Sequence, residues 1–287
     1  MTPTGHRAAG SVLSRRAFLA ASAAALLAPR LTAAEVTIGV QSYSFRDRSL
    51  VEAIAAMRKV GLASCELWQA HVEPQQIPRE EMRRWRETVS LDHFHRIRDQ
   101  FAKAKIALSA YNISINDTYS DTEVERAFEM TRALGAPLIT ASANVNTVAR
   151  IAPAAARHKM LVGMHNHSRI DPNEFATAQS LTDALARGPF IAVNLDVGHF
   201  TAANEDALAF LQQHHQRIVT LHLKDRKRDQ GPNVEFGAGD SPIVPVLKLL
   251  AEKGWPIPAN IEYEYKGGDT VDEVARCLAY CRKALNL

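Results

Sequence analysis

The sequence predicts a (β/α)8 barrel, and three observations support this fold class. Eight short apolar runs alternate with segments whose apolar residues recur at helical spacing. Such alternation is typical of a parallel sheet covered by helices. After a leader-like N-terminus roughly 250 residues remain, which suits one barrel, whereas a doubly wound sheet usually has fewer strands. We therefore expect a single TIM barrel domain over residues 35–287.

The predicted strands are continuous apolar runs, as expected for strands that are buried on both faces. In chain order the runs cover residues 36–45, 63–68, 105–112, 137–144, 160–167, 191–200, 217–225 and 258–265. No linker, low-complexity tract or short-period repeat interrupts them, which favours one domain.

Helical patterns with capping signals lie between the runs. The clearest of them cover residues 50–61, 121–135 and 269–285. Asp121 and Asp269 are the expected N-caps of the second and third of these helices. Gly61, Gly135 and Gly254 are expected just after helices, where a positive φ favours glycine.

The first 34 residues are built like an export signal. Arg15 and Arg16 stand in an S-R-R-x-F-L sequence that resembles the twin-arginine motif. The uncharged stretch 17–28 is shorter than the roughly 20 residues that span a bilayer, and small residues precede position 35. We predict a signal peptide over residues 1–34 and a periplasmic or secreted mature chain. An uncleaved membrane anchor is the alternative.

The charge of the chain does not indicate a nucleic-acid or membrane partner. Of 34 basic residues, four arginines lie in residues 1–34, which contain no acid. Without them, 30 basic residues face 31 acidic ones, a net charge of −1. A basic surface for nucleic acid or anionic lipid is therefore not expected. The three cysteines are too few for a disulfide framework, so buried thiols are expected.

Polar side chains concentrate at the C-terminal ends of the predicted strands, where barrel active sites lie. Strands five to eight end in His165, Asp196, His222 and Glu262. Imidazole nitrogens and carboxylate oxygens that converge from different strands are typical ligands of divalent metals. Each residue alone has an ordinary structural explanation. Together, on consecutive strands, they predict a site for one divalent ion: Mn, Mg, Co or Zn.

Four motifs, in their order and spacing, resemble the xylose isomerase-like TIM barrels. This family includes sugar (phosphate) isomerases, epimerases and endonuclease-IV-like proteins. The motifs are NLDVGHF at 194–200, TLHLKDR at 220–226, GAGDSP at 237–242 and NIEYE at 260–264. The resemblance spans essentially the whole chain after the leader. It implies that Asp196, His222 and Glu262 bind the metal ion.

The chain departs from the family pattern at strand five. The epimerases of the family carry a glutamate there, whereas this chain carries His165, Asn166 and His167. A similar YHNH-like strand occurs in other members, so His165 is expected to take the ligand position. His167 lies two residues on, and therefore on the same strand face, where it would contact the substrate or support the metal site.

This departure changes the expected mechanism. Family epimerases use two metal-bound glutamates on opposite faces of the sugar, and only Glu262 remains here. One carboxylate base supports proton abstraction next to a carbonyl, with the metal as a Lewis acid for the enediolate oxygen. A neutral imidazole could return the proton elsewhere. The resemblance adds Glu66 as a second candidate acid/base and His199 as a group that contacts a substrate hydroxyl.

Other strand-end residues are expected to bind the substrate. Lys224 is expected to neutralise an oxyanion, with a solvated lysine at the rim as the alternative. The predicted substrate-binding set is Trp68, Asn112, His167, Lys224 and Glu264.

The sequence therefore predicts an exported, metal-dependent isomerase or epimerase that acts on a small-molecule carbohydrate. A lyase or hydratase that acts on a keto-sugar or 3-keto-glycoside is the nearest enzymatic alternative, because the second glutamate is missing. Phosphodiester cleavage is disfavoured because the mature chain lacks a basic excess. A non-catalytic sugar-binding barrel is an alternative of another class. The sequence does not fix the oligomeric state, and a homo-oligomer is one of the options.

The predicted leader can be tested by exchange of its two arginines. Arg15→Lys and Arg16→Lys together should keep the protein in the cytoplasm, because twin-arginine export depends on this pair. Fractionation of cells that express the full chain would measure the distribution. Export at the level of the unchanged chain would contradict the predicted route.

Overall fold

Eight parallel strands, hydrogen-bonded in chain order, close into a barrel in the computed structural model of this protein. The structure describes residues 1–2 and 36–287, so the predicted signal peptide lies outside the described residues apart from Met1 and Thr2. The strands are β1 Ile38–Gln41, β2 Ser64–Trp68, β3 Ala107–Ile113, β4 Ile139–Ala141, β5 Val162–His165, β6 Ile191–Asp196, β7 Ile218–Leu223 and β8 Ala259–Ile261. The predicted (β/α)8 barrel is confirmed.

Helices follow the strands and cover the barrel. They are α1 Leu50–Val60, α2 Arg79–Thr88, α3 Asp92–Ala104, α4 Asp121–Ala133, α5 Val148–His158, α6 Ala178–Leu185, α7 Val197–Ala202, α8 Ala207–His214, α9 Ile243–Lys253 and α10 Thr270–Ala284. Their apolar faces and the strands form one continuous core. All three cysteines are buried and free, as expected. No helix among residues 36–287 is long and apolar enough to cross a membrane.

Six of the eight strands end earlier than the apolar runs predict, and β8, predicted to reach residue 265, ends at Ile261. The reason is clearest at β1 and β6. β1 stops at Gln41, whose side chain accepts a hydrogen bond of 2.8 Å from the Tyr43 amide and starts a 3-10 turn. β6 stops at Asp196, whose carboxylate accepts the His199 amide at 2.7 Å and caps α7. The apolar residues beyond these points are buried in turn or helix, which a count of apolar residues does not distinguish from strand. The predicted extensions, 42–45 and 197–200, are therefore wrong.

The expected helix caps are confirmed with one correction. Ser120, and not Asp121, caps α4, because the Ser120 hydroxyl accepts from the Glu123 amide at 3.1 Å and Glu123 accepts from the Ser120 amide at 2.7 Å. Asp121 lies inside the first turn. Asp269 caps α10 as predicted, with its carboxylate on the Val271 amide.

The register of the parallel strands brings the C-terminal strand ends to one level. His165 on β5 pairs with Asn194 on β6, and Asp196 pairs with His222 on β7. Leu223 of β7 pairs with Ile261, the residue before Glu262. Residues that are far apart in the sequence therefore meet at one end of the barrel.

The corrected cap of α4 predicts a difference between two neighbouring substitutions. Ser120→Ala should lower the free energy of unfolding by about 1 kcal/mol, the usual cost of a lost N-cap. Asp121→Ala removes only an exposed ion pair to Arg150, and such pairs contribute about 0–1 kcal/mol. Urea denaturation would measure the free energy of unfolding of both variants and show which substitution lowers it more. A larger loss for Asp121→Ala would contradict the assignment of Ser120 as the cap.

Candidate functional site

Four side chains from successive strands converge at the C-terminal end of the barrel. His165 and Asp196 end β5 and β6, His222 lies on β7, and Glu262 directly follows β8. Each offers one ligand atom, and these four atoms all lie within 4.8 Å of one another. All four residues are buried. The structure thus brings together the whole predicted ligand set.

The ligand atoms themselves fit a shared cation. His165 Nδ1, Asp196 Oδ2, His222 Nδ1 and Glu262 Oε2 are buried, and no described residue hydrogen-bonds to them. A buried polar atom without a hydrogen bond typically costs about 1–3 kcal/mol. The two carboxylate oxygens have only ion pairs with Lys224, so the four atoms together suit a common partner. Two imidazole nitrogens and two carboxylate oxygens suit a divalent transition metal.

Lys224 lies at the centre of the carboxylates. Its Nζ is 3.0 Å from Asp196 Oδ2, 2.9 Å from Glu262 Oε2 and 2.7 Å from Glu264 Oε2. The contacts with Asp196 and Glu262 are ion pairs without hydrogen-bond geometry. Burial disfavours charge on the lysine, but the carboxylates outweigh burial and raise the pKa of Lys224 above its usual range. The predicted lysine thus lies inside the site and not at a solvated rim.

Close packing of α7 on β7 holds Lys224 in this position. A Cβ atom at Gly198 would lie 2.6 Å from the Lys224 carbonyl oxygen and 2.8 Å from its Cβ. Only a residue without a side chain therefore fits between α7 and the backbone of Lys224. The glycine of the NLDVGHF motif is thus required by this close contact, and not by a positive φ angle.

The carboxylates and imidazoles of the cluster differ in protonation because their surroundings differ. Burial raises the pKa of Asp196 to about 6. Burial also acts on Glu262, but Lys224 and His222 outweigh it and hold the pKa of Glu262 well below its usual range. Burial, together with His222, lowers the pKa of His165 well below its usual range. His165 is thus a neutral imidazole with a lone pair for a cation.

A cavity of about 280 Å³ opens above the cluster. All five predicted substrate-binding residues and the predicted His199 contribute to its wall. The residues around it are Gln41, Tyr43, Trp68, Asn112, Ser114, Ser142, His165, His167, His199, His222, Lys224, Glu262 and Glu264.

Four residues of the cavity wall, Gln41, Tyr43, Ser114 and Ser142, lie outside the set of site residues predicted from the sequence. Tyr43 packs edge-on against Trp68, with ring centroids 4.9 Å apart. The 3-10 turn after β1 brings Tyr43 to the cavity, whereas the sequence predicts strand there. An aromatic residue at a strand end is the only sequence signal that could have marked it.

His199 is held between two cationic side chains. Its Nε2 lies 2.9 Å from Lys224 Nζ, and its Nδ1 lies 2.8 Å from Arg226 Nη1. Arginine and lysine can only donate, and a neutral imidazole accepts at one nitrogen only, so the ring accepts a hydrogen bond from either Arg226 or Lys224. Burial and Lys224 lower the pKa of His199 well below its usual range. His199 is thus a neutral ring, and Arg226 is a supporting residue that the sequence did not reveal.

Glu66 does not face the cavity. It is fully buried, and its Oε1 lies 2.9 Å from His222 Nε2, on the side of that ring away from the other ligands. An acid/base group must come within hydrogen-bond reach of the substrate. The prediction of Glu66 as a catalytic acid/base therefore finds no support in its position.

The glycine-rich turn after β7 is already occupied by a carboxylate of the chain itself. Asp225 accepts the amides of Gly237 at 2.7 Å, Gly239 at 3.0 Å and Ser241 at 3.2 Å. Backbone amides in such a turn can bind phosphate when they are free. Here they fold the loop around Asp225.

Comparison with known proteins agrees with the fold and the motifs. The sequence pattern of the family described as xylose isomerase-like TIM barrel matches residues 54–283. The chain belongs to this family. No curated protein matches it in sequence.

Solved structures of similar fold include enzymes with several named activities. The 3-keto-D-glucoside 4-epimerase of E. coli is 11% identical, with a TM-score of 0.65 over 87% of this chain and 100% of that chain. The D-allulose 3-epimerase of Methylomonas sp. is 13% identical, with a TM-score of 0.65 over 88% and 98%. The probable 3-DHS dehydratase of Bacillus anthracis is 16% identical, with a TM-score of 0.65 over 85% and 99%. At these identities the likeness shows the fold.

The ligand cluster of this xylose isomerase-like barrel predicts a difference between two neighbouring histidines. His165→Ala should weaken Mn²⁺ or Zn²⁺ binding by at least about tenfold, because it removes one of the four converging atoms. His167→Ala is the matched control, since its Nδ1 lies 3.6 Å from Glu174 and its side chain is 40% exposed. Equilibrium dialysis would measure both. Equal losses would contradict the ligand assignment.

Proposed function

We propose that this protein is a divalent-metal-dependent enzyme that removes a proton next to the carbonyl of a carbohydrate, as a sugar isomerase or epimerase. The observation that carries the proposal is the cluster of four converging ligand atoms at the floor of a polar cavity. A divalent ion bound there would act as a Lewis acid on a substrate oxygen. The named activities of the two epimerases with this fold support the reaction class.

Glu262 is the base in this proposal. Its carboxylate lines the cavity, and Lys224 and His222 keep its pKa low, so that it is ionised at neutral pH. Lys224 places an ammonium group beside it, 2.9 Å from Oε2, which favours the ionised carboxylate. The neutral ring of His199 is available to contact a substrate hydroxyl.

The acid and base groups lie on one side of the cavity, which favours a second candidate function. Both carboxylates of the described wall, Glu262 and Glu264, follow β8, and the histidines and Lys224 come from β5 to β7 and α7. The wall formed after β1 to β4 carries amide, hydroxyl and aromatic groups. One-sided proton transfer suits isomerisation, and it equally suits a lyase or hydratase acting on a keto-sugar. Epimerisation would need a proton donor on the opposite face.

The cavity suits an uncharged carbohydrate. Amide and hydroxyl side chains on one wall can hydrogen-bond to sugar hydroxyls, and Tyr43 and Trp68 offer aromatic surface. Lys224 already forms ion pairs with three carboxylates. The backbone amides of Gly237 and Gly239 already donate hydrogen bonds to Asp225. This arrangement favours substrates without a phosphate. It is consistent with the proposed periplasmic location.

Proton abstraction can be tested by replacing the base. Glu262→Gln keeps a metal-binding oxygen but is not a useful base, so turnover should fall by about 10²–10⁴-fold, the usual contribution of a general base. His165→Ala should instead lose activity through weaker metal binding, and excess metal should restore part of it. Ketoses and 3-keto-glycosides are the substrates to screen, with the rate followed by NMR in D₂O. Rescue of Glu262→Gln by metal, without rescue of His165→Ala, would reverse these roles.

The same NMR experiment separates the candidate functions. An isomerase or epimerase exchanges a carbon-bound proton for deuterium and keeps the elemental composition of the sugar. A lyase or hydratase changes the composition by loss or gain of water or an alcohol. Sugar binding without any exchange or product would support the non-catalytic alternative.

A further inference from the structure

We propose that Glu66 is a positioning residue that holds the His222 ring by Nε2 and so directs Nδ1 towards the ligand cluster. The inference rests on the metal site proposed above and not on the identity of the sugar. Glu66 lies behind His222, in the interior of the barrel, with no exposed surface. It does not touch the cavity, so its role must be exerted through another residue.

Hydrogen bonds from five of the eight strands hold the carboxylate of Glu66 in place. Its two oxygens accept hydrogen bonds from side chains of β3, β4, β6, β7 and β8. These are Thr140 Oγ1 at 2.6 Å, His222 Nε2 at 2.9 Å, Asn194 Nδ2 at 3.2 Å and Asn112 Nδ2 at 3.4 Å on Oε1, and Asn260 Nδ2 at 3.0 Å on Oε2. A carboxylate with this many donors has little freedom to move, so it is a rigid reference point for the His222 ring.

The two nitrogens of His222 have separate partners. A carboxylate can only accept, so Nε2 carries the hydrogen that is donated to Glu66. Nδ1 points the other way, 2.9 Å from Glu262 Oε2 and 3.9 Å from Asp196 Oδ2. A metal ligand must present a nitrogen lone pair, and the hydrogen bond on one ring nitrogen decides which nitrogen is free to bind. Nδ1 also faces a carboxylate, that of Glu262, but it is the ring nitrogen directed at the other ligand atoms. A hydrogen held on Nε2 by Glu66 therefore leaves Nδ1 for the cation, and Asn194 Nδ2, 3.0 Å from Nε2, donates to Glu66 instead.

The charge balance of the region is consistent with this role. Among residues 36–287, His222 is the only group within ion-pair distance of Glu66, and it lies at 2.9 Å. A fully buried carboxylate is costly unless positive charge lies close by. The His222 ring connects Glu66 to the cluster, where a divalent ion would supply that charge. The carboxylate, the imidazole and the cation site thus form one connected unit.

Glu66→Gln removes the charge with little change in shape. The glutamine oxygen can still accept from His222 and Thr140. Its amide nitrogen would face Asn260, whose Oδ1 has no hydrogen-bond partner among the described residues. Rotation of the Asn260 amide pairs it with the glutamine amide and gives up the hydrogen bond of 2.8 Å from Asn260 Nδ2 to Thr220 Oγ1. One hydrogen bond is thus exchanged for another, so the variant should fold. A carboxylate behind a histidine ligand typically changes metal affinity by about 10–100-fold.

Zn²⁺ affinity, measured on the full chain by competition with a fluorescent chelator, tests the proposal. Glu66→Gln should raise the dissociation constant by about 10–100-fold. Glu273→Gln is the matched control, because Glu273 is also a buried carboxylate, bonded to Tyr265 and Gly268, and it lies on α10. Its Zn²⁺ affinity should stay unchanged. An unchanged affinity for Glu66→Gln, or equal losses in both variants, would overturn the proposal.

A second measurement needs no variant of Glu66. In the Zn²⁺-loaded protein with ¹⁵N-labelled histidine, His222 should bind through Nδ1 and keep its hydrogen on Nε2, with the signals assigned by their loss in His222→Gln. Binding through Nε2 would overturn the proposal even if Glu66→Gln failed to fold. Absence of Zn²⁺ binding by the unchanged protein would overturn the metal site as well. Normal Zn²⁺ binding without sugar turnover would count against the proposed reaction alone.

Discussion

Three carboxylates, from Asp196, Glu262 and Glu264, meet one buried ammonium group, that of Lys224, at the C-terminal end of the barrel. A fourth carboxylate, Glu66, lies behind His222. Carboxylates buried together repel one another, and only positive charge among them makes their burial tolerable. The single lysine offsets only part of this charge. The proposed divalent cation would balance the negative charge that remains.

The parallel barrel makes this concentration of charge possible. Every strand runs in the same direction, so each contributes its last residues to the same end. The register pairs Asp196 with His222, and it pairs His165 with Asn194, two residues before Asp196. Behind them lies a buried polar layer in which Glu66 accepts hydrogen bonds from Thr140, Asn194 and Asn260. Electrostatic interactions are stronger in such surroundings than in water. This explains the differing pKa values of Asp196 and Glu262, two carboxylates around the same lysine.

The cavity above the ligand cluster has two chemically different halves. The strands β5 to β8 supply the ionisable groups, whereas β1 to β4 lead into amide, hydroxyl and aromatic groups. A sugar between them would have its reacting carbon on the charged half and its other hydroxyls on the neutral half. Among the described residues, Glu262 is the carboxylate that belongs to the ligand cluster and also lines the cavity.

The strand count, the barrel and the ligand cluster could all be predicted from the sequence, because apolar periodicity is local and strand ends of a parallel barrel must converge. The sequence also marked Trp68, His199 and Lys224 as parts of the site. Side-chain direction and long-range contacts, in contrast, became known from the folded chain alone. Tyr43 reaches the cavity because β1 ends early, and Glu66 turns away from it because partners up to 194 residues distant in the chain hold it. Such contacts leave no periodic signal, since a hydrogen bond across the barrel depends on closure of the whole sheet.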